Sequence, residues 1–519
     1  MKVKKQDLPL LPAGQQDFQS LITSGRLYVD KTELINDLIH DGSIFWFLAR
    51  PRRFGKSLLI STLKEIFLGK KELFSGLYIE DKIVWEEYPV LHFDFSKIGF
   101  RDMGLKEAIN ERLKEIAKNY GVKLKKRGIG NKFSELMEEV QKKTGKKVVV
   151  LIDEYDKPIT DVLEVGENTA ARDNRDTMRT FYGEVKGSSE FIRLFFVTGI
   201  ARFARVSIFS DLNNLTDLSK IRYYHNLLGY TQEELTQYFT PHLNFIAEEK
   251  NITLDELLAQ VKHWYNGFSW NGIDRVYNPF SILNFLTAGE FHNFWFESGT
   301  PKFLIELLKK EKVYDLSDTY AKKSTTESFD IENLSLLTLF YQTGYLTIKG
   351  LGSFGLLILD YPNEEVRESM LNYILMGFTE NTETPVFAIG LARAFQDNDF
   401  VLLENSINAL FASIPYQIFD TSQEKYFHAI LFLAFKLCGY HIKCEVSTSQ
   451  GRVDAVMEHG HKIYIFEFKL NDSAKVALQQ IHDRGYYQQF LGQNKEIYLI
   501  GINFSGKTKS VEEMLTEKL

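Results

Sequence analysis

Apolar residues follow three rhythms along this chain. Ile44 to Ala49 and Val148 to Ile152 are unbroken apolar runs, and Phe191 to Val197 is nearly so. Continuous apolarity predicts strands buried on both faces of a parallel sheet. Leu58 to Leu68 shows helical spacing instead. Near the C-terminus, Val453 to Met457 and Ile463 to Phe468 are β-prone runs separated by Gly460, which predicts a hairpin. Between these regions, Thr231 and Glu234 stand three residues apart, the spacing of a capping box, and open a helical region. Leu334 to Phe340, Thr343 to Ile348 and Gly355 to Leu359 read as helix, strand and strand, the outline of a winged-helix unit. Glu380 to Gln423 is largely helical in pattern.

The hairpin carries the first candidate chemistry. With Gly460-His461 as a two-residue loop, His459 pairs with Lys462. Glycine in the first loop position suits a type II′ turn. Counting back, Asp454 falls opposite Glu467, and directly paired side chains have Cβ atoms roughly 4.5–5.5 Å apart. Lys469 lies two residues beyond Glu467 and so shares its face, while Val453, Ala455, Met457, Tyr464, Phe466 and Phe468 form the other. Two carboxylates at this separation can hold Mg²⁺. Such a metal activates water at a phosphate, with Lys469 orienting the water or neutralising charge. A cross-strand salt bridge is the plainer reading of the same three residues.

A second candidate lies near the N-terminus. Arg50-Pro51-Arg52-Arg53-Phe54-Gly55-Lys56-Ser57 follows a strand-like run and precedes a helix-like one. Backbone N–H groups of Arg53, Phe54 and Gly55 would cradle phosphates at the helix start. Lys56 would reach the β/γ-phosphates and Ser57 would ligate Mg²⁺. The G-x₄-G-K-[ST] pattern asks for glycine at position 50, where arginine stands. The run Val148 to Ile152 ends in Asp153 and Glu154, where ligands bind in open α/β sheets. Asp153 is expected on Mg²⁺ and Glu154 at the hydrolytic water. Thr198 closes the third strand as a sensor of the γ-phosphate, and Arg202 or Arg205 is the candidate arginine finger. Surface ion pairing would account equally for either arginine.

Composition bounds these readings. The 519 residues are 44% hydrophobic and 14% aromatic, enough for several cores. A net charge of −7 excludes a generally basic nucleic-acid coat. Any basic groove must be local, and Lys123 to Arg127 is one candidate, with a solvated surface as the alternative. The aromatics from Trp264 to Trp270 and Tyr277 to Phe280 could stack on bases, but such density more often means packing. Two cysteines, Cys438 and Cys444, give neither a zinc pattern nor a disulfide framework. No apolar run approaches the roughly 20 residues that span a bilayer, and no signal peptide is apparent. A cytoplasmic protein without membrane partners is expected.

Both sites resemble known families. Glu467-Phe468-Lys469 with Asp454 resembles the PD-(D/E)XK nuclease superfamily, in the branch found behind AAA-like ATPase domains. Glu424 fits the acid that some members carry on the first core helix, and Gln480 and Tyr486 match a Q-x₅-Y element. Val453 departs from the proline of the name. Residues from about Leu8 to Leu228 resemble the AAA-ATPase-like family of bacterial proteins. The resemblance rests on Tyr28 to Thr32, Arg50 to Ser57, Leu151 to Asp156 and Thr198 to Ile200. It makes Arg50 a family variant.

The expected fold class is α/β: a P-loop AAA-like ATPase core (1–228), a helical lid (229–330), a winged-helix-like region (331–395) and a C-terminal restriction-endonuclease-like domain (396–519). The resemblances imply ATP and Mg²⁺ as cofactors, and nucleic acid, DNA first, as partner, with a homo-oligomer as a further expectation. The catalytic set is Asp454, Glu467, Lys469, Glu424, Gln480 and Glu154. The nucleotide set is Arg53, Phe54, Gly55, Lys56, Ser57, Asp153, Thr198 and Arg202, and Asp454, Glu467, Ser57 and Asp153 are the metal ligands. The favoured activity is an ATP-regulated nuclease. The alternative is an ATP-dependent switch or scaffold whose C-terminal domain binds nucleic acid or protein without cleavage.

Overall fold

A computed structural model describes residues 7–519 apart from 165–167, 201, 203–207, 210–213, 298–301, 312, 314, 328–334, 381–383, 415–423, 440 and 449–450. The chain is a mixed α/β protein that divides into two compact units. One comprises Met1–Phe303 with Leu316–Arg367, the other Leu304–Asp315 with Glu368–Leu519.

The first unit is built on β1 (Phe45–Ala49), β2 (Val90–Asp94), β3 (Val148–Asp153), β4 (Ile192–Gly199) and β5 (Thr216–Asp217). They form one parallel sheet in the order β2-β3-β4-β1-β5. Every residue of β1 and β3 is buried, which is why neither run alternates. Strand β4 lies between them, so the turns leaving β1 and β3 emerge from the same edge of the sheet with one strand between.

Helices Gln232–Lys250, Leu254–Tyr265 and Pro279–Ala288 pack around Leu235, Phe239, Leu257, Tyr265 and Tyr277. The Thr231–Glu234 capping box is formed: Thr231 accepts from the Glu234 N–H, and Glu234 accepts from the Thr231 N–H. The expected helical lid is not all helix, because β6 (Asn266–Phe268) and β7 (Val276–Tyr277) make a small ribbon within it. Tyr265, Phe268 and Tyr277 are buried, so these aromatics pack rather than wait for bases.

A three-stranded antiparallel sheet follows, β8 (Thr319–Ala321), β9 (Thr347–Leu351) and β10 (Leu357–Asp360), in the order β8-β10-β9. Helix Leu336–Thr343 precedes β9 and is stopped by Gly344 at φ 92°. The boundary expected at residue 331 leaves out β8, which pairs with β10 from the far side of that helix.

The second unit holds β11 (His441–Thr448), β12 (Gly451–His459), β13 (Lys462–Leu470), β14 (Glu496–Ser505) and β15 (Ser510–Lys518), in sequential order across one mixed sheet. Only the β13–β14 pair is parallel, and helix Ala474–Asp483 makes its crossover. Phe395, Phe411, Phe427 and Phe435, from three further helices, pack against Phe466 and Phe504. Helices Thr384–Asp397 and Phe400–Ala412 therefore belong to this unit, whose main segment runs from Glu368 rather than from near 396. Among the described residues, no helix is long and apolar enough to cross a membrane.

Candidate functional site

Beyond β1, Arg50–Gly55 leads into helix Lys56–Phe67. The turn requires left-handed backbone at Arg53 (φ 66°) and at the helix cap Gly55 (φ 91°). Arg50 is buried, its guanidinium 3.9 Å from the centre of the Trp270 ring and 2.9 Å from the Ala49 carbonyl, to which it donates. Burial pulls its pKa down to about 9, with Arg202 adding to the effect and Asp217 opposing it. The arginine that replaces glycine thus braces the loop from behind. Phe54 is also buried, edge-on to Phe268 at 4.9 Å, and offers a ligand only its backbone.

Arg52, Arg53, Gly55, Lys56, Ser57 and Glu154 help line a cavity of about 370 Å³. Lys56 Nζ donates to the carbonyls of Arg50 (3.0 Å) and Pro51 (2.8 Å). Burial lowers the Lys56 pKa, against the pull of Asp153, Glu154 and Asp156. Asp153 ends β3, and burial raises its carboxyl to about 6, opposed by a hydrogen bond from Ser57 and by the Lys56 charge. The structure therefore brings Lys56, Ser57, Asp153 and Glu154 together. A hydroxyl, a carboxyl and an amine together fit a magnesium nucleotide, whose cation favours the ionised carboxyl and whose phosphates favour the charged amine. Glu154 pairs with Lys157 at 3.4 Å. Lys157, Gln15 and Gln16 also line the cavity, and only Lys157, one turn beyond Glu154, had a sequence cue.

Thr198 and Arg202 are not on the cavity wall. Thr198 is buried beside Leu48 of β1, and its Oγ1 has no hydrogen-bond partner. Arg202 is buried with its Nε 3.7 Å from Asp217 Oδ2, and its backbone N–H donates to Gln342 Oε1 at 2.9 Å. The arginine expected as a candidate finger is thus engaged within its own unit. Arg205 lies outside the described residues.

In the second unit, His459 pairs with Lys462 and Ala455 with Phe466, the register counted from the sequence up to the position before Asp454 and Glu467. Gly460 supplies the positive φ of 56° in the loop. The ladder stops at Ala455–Phe466, because the Phe468 N–H donates to Asp454 Oδ2 at 2.8 Å. This departure also moves Val453. It joins Val456, Ile463 and Ile465 in one cluster rather than the Tyr464–Phe466 face expected from strict alternation.

Glu467 is only 1% exposed. Gln480, reaching down from the crossover helix, and Lys469 Nζ, at 3.3 Å, both donate to its Oε1. Its Oε2 is buried and, among the described residues, accepts no well-formed hydrogen bond. Burial first, then the Asp454 charge, raises the Glu467 pKa to about 7; Lys469 opposes this, and the nearby Asp454 N–H does so least. A buried carboxylate oxygen without a donor, beside a second carboxylate, fits a hard cation. Among the described residues, no cluster of three or more His, Cys, Asp or Glu side chains is placed to hold a metal. Glu424 opens helix Glu424–Leu437, with its side chain outside the described residues. Tyr486 is buried in the core beneath the hairpin.

Residues 12–209 match the family model described as "Predicted AAA-ATPase", and residues 422–514 match the PD-(D/E)XK nuclease superfamily. The chain is 36% identical over 525 residues to an "Uncharacterized protein in vnfD 5′region" of Azotobacter chroococcum mcd 1, covering 98% of this chain and 99% of that protein. The chain belongs to the AAA-ATPase-like family with a C-terminal PD-(D/E)XK domain. A Walker-type ATPase of Pyrococcus abyssi aligns over 70% of this chain and 96% of its own, at 12% identity and a TM-score of 0.31, too low to carry an argument. In this AAA-ATPase-like protein the matched N-terminal stretch contains the Arg50–Ser57 loop, Asp153 and Glu154. The matched PD-(D/E)XK stretch contains Asp454, Glu467, Lys469 and Gln480.

Proposed function

We propose that this protein is an ATP-regulated, Mg²⁺-dependent nuclease. The first unit binds and hydrolyses ATP, and the second cuts phosphodiester bonds in nucleic acid, DNA being the expected substrate. Cytoplasmic location and assembly as a homo-oligomer belong to the same reading. The observation that carries it is Glu467 Oε2, buried beside Asp454 without a donor of its own.

Each residue has a task in this reading. Asp454 and Glu467 hold the cation, which when bound lowers the pKa of water and offsets charge on the phosphate. Gln480 fixes the Glu467 carboxylate by its side-chain amide. Lys469, within hydrogen-bond reach of Glu467, is placed to donate to the attacking water or to a phosphate oxygen. In the first unit Lys56 and the Arg53–Gly55 backbone receive phosphates, Ser57 and Asp153 hold Mg²⁺, and Glu154 orients water. Thr198 remains a candidate γ-phosphate sensor through its unsatisfied hydroxyl.

The test is cleavage of single- and double-stranded DNA and RNA by the full chain with Mg²⁺ or Mn²⁺, with and without ATP. Metal-dependent cutting that responds to ATP and disappears in Asp454→Ala is expected. If no substrate is cut under any of these conditions, the nuclease reading falls and the switch or scaffold reading takes its place.

A further inference from the structure

The phosphate loop is held at each of its first four residues by the elements that follow the ATPase core. Arg50 stacks on Trp270 at 3.9 Å, and the Arg53 guanidinium lies 4.5 Å from the centre of the Phe280 ring. The Arg52 carbonyl accepts from Trp295 Nε1 at 3.0 Å and Asn278 Nδ2 at 3.5 Å. Pro51 meets the turn after helix Leu336–Thr343: a Cβ on Gly344 would lie 2.6 Å from Pro51 Cβ and Cγ, and 3.6 Å from Trp295 Cζ2. Two residues earlier, in the last turn of that helix, Gln342 Oε1 accepts from the Arg202 N–H beyond β4, while Gln342 Nε2 donates to the Thr326 carbonyl at 3.2 Å. The same helix end therefore touches the loop after β1 and the segment after β4.

Lys56 connects this arrangement to ligand. Its amine is engaged by the Arg50 and Pro51 carbonyls, the two residues that Trp270 and Gly344 brace. A phosphate drawing that amine into the cavity removes both bonds at once. The carbonyls then need other donors, because buried unpaired acceptors are costly, so the Arg50–Pro51 peptides must shift. Gly344 packs close enough to Pro51 that a Cβ there would clash, so a displaced Pro51 meets this turn, and packed contacts transmit displacement.

We propose that the Gln342–Gly344 turn is a nucleotide-reading contact, with Pro51 as the moving part and β9–β10 as the element that responds. Gly344 is a positioning residue for the phosphate loop, Gln342 ties the neighbouring helix end to the segment after β4, and neither is a ligand contact. The inference rests on the assignment of the 370 Å³ cavity to a nucleotide.

The experiment uses the full chain. Hydrogen–deuterium exchange of peptides spanning 336–360 is compared with and without ATP·Mg²⁺, beside nucleotide affinity by calorimetry. Wild type is expected to change exchange in this region by about threefold or more on saturation. Lys56→Ala, which lacks the amine, should show no change at the same nucleotide concentration. Gln342→Leu should keep its affinity within about threefold while losing most of the exchange response. Gly344→Ala should weaken ATP binding, and Gln342→Leu decides the matter should the alanine variant fail to fold. Normal ATP binding with unchanged exchange over 336–360 overturns the coupling alone. Absence of ATP binding in wild type removes the nucleotide assignment and the coupling together.

Discussion

The two candidate sites are unfinished in opposite ways. In the first unit the principal cation is already satisfied: Lys56 has two carbonyls, and Asp153 has the Ser57 hydroxyl. A ligand there must displace internal bonds. In the second unit the principal anion is short of partners, since Glu467 keeps one buried oxygen without a donor. A ligand there gains a buried Glu467 oxygen and competes with the Phe468 amide for Asp454 Oδ2. The difference suggests that nucleotide binding is inherently a conformational event, whereas cation binding to the hairpin is mainly an electrostatic one.

The largest expected effect tests the second half of this contrast. Glu467→Gln should lower cleavage by about 10³-fold, on the scale of losing a preorganised charge at the reacting centre. Its melting temperature at pH 8 should stay level or rise, because a buried negative charge is removed. A large loss of stability would show that the carboxylate holds the fold rather than a metal. Lys56→Ala, measured by calorimetry with ATP·Mg²⁺, should lose about 100-fold in affinity, roughly 2.7 kcal/mol. Unchanged affinity would remove the phosphate-loop assignment.

Acidity separates the sites further. Glu467 has a folded pKa near 7, raised above its ordinary value by burial and by Asp454. Metal-free, it contributes stability that is present below about pH 4.5 and lost as pH rises through about 7. Cation binding needs the ionised form, so Mn²⁺ affinity at the hairpin should fall by up to about tenfold per pH unit below 7. Titration of metal-dependent thermal shift between pH 5.5 and 8 checks this, and a flat profile would place the metal elsewhere. The smallest effect is expected from Gln480→Leu, which removes one donor to Glu467. Cleavage should drop by about tenfold with metal affinity little changed, as a hydrogen bond to a charged group would imply.

The same contrast governs what could be read from the residues. The hairpin was legible because a two-residue loop with Gly460 fixes its register, and every later pair follows by counting. The capping box was legible for a similar reason, being complete within four residues. Strand β8 was not, because three residues at Thr319–Ala321 carry no period and find their partner only through β10. Val453 was misplaced because alternation assumes an unbroken ladder, and a side chain took the Phe468 N–H. Arg202 shows a further limit: arginine next to an ATPase strand suggests catalysis, whereas its role depends on Asp217 and Gln342, distant in sequence.

The hydrogen bond from the Phe468 amide to Asp454 has one more consequence. That proton belongs to the residue after Glu467 and is held by Asp454. When Asp454 turns to a cation, its hold on the amide weakens, and the resonance of a single backbone nitrogen becomes a spectroscopic gauge of whether the hairpin is loaded. The protein thus carries its own indicator at the centre of the site, readable by isotope labelling without any added probe.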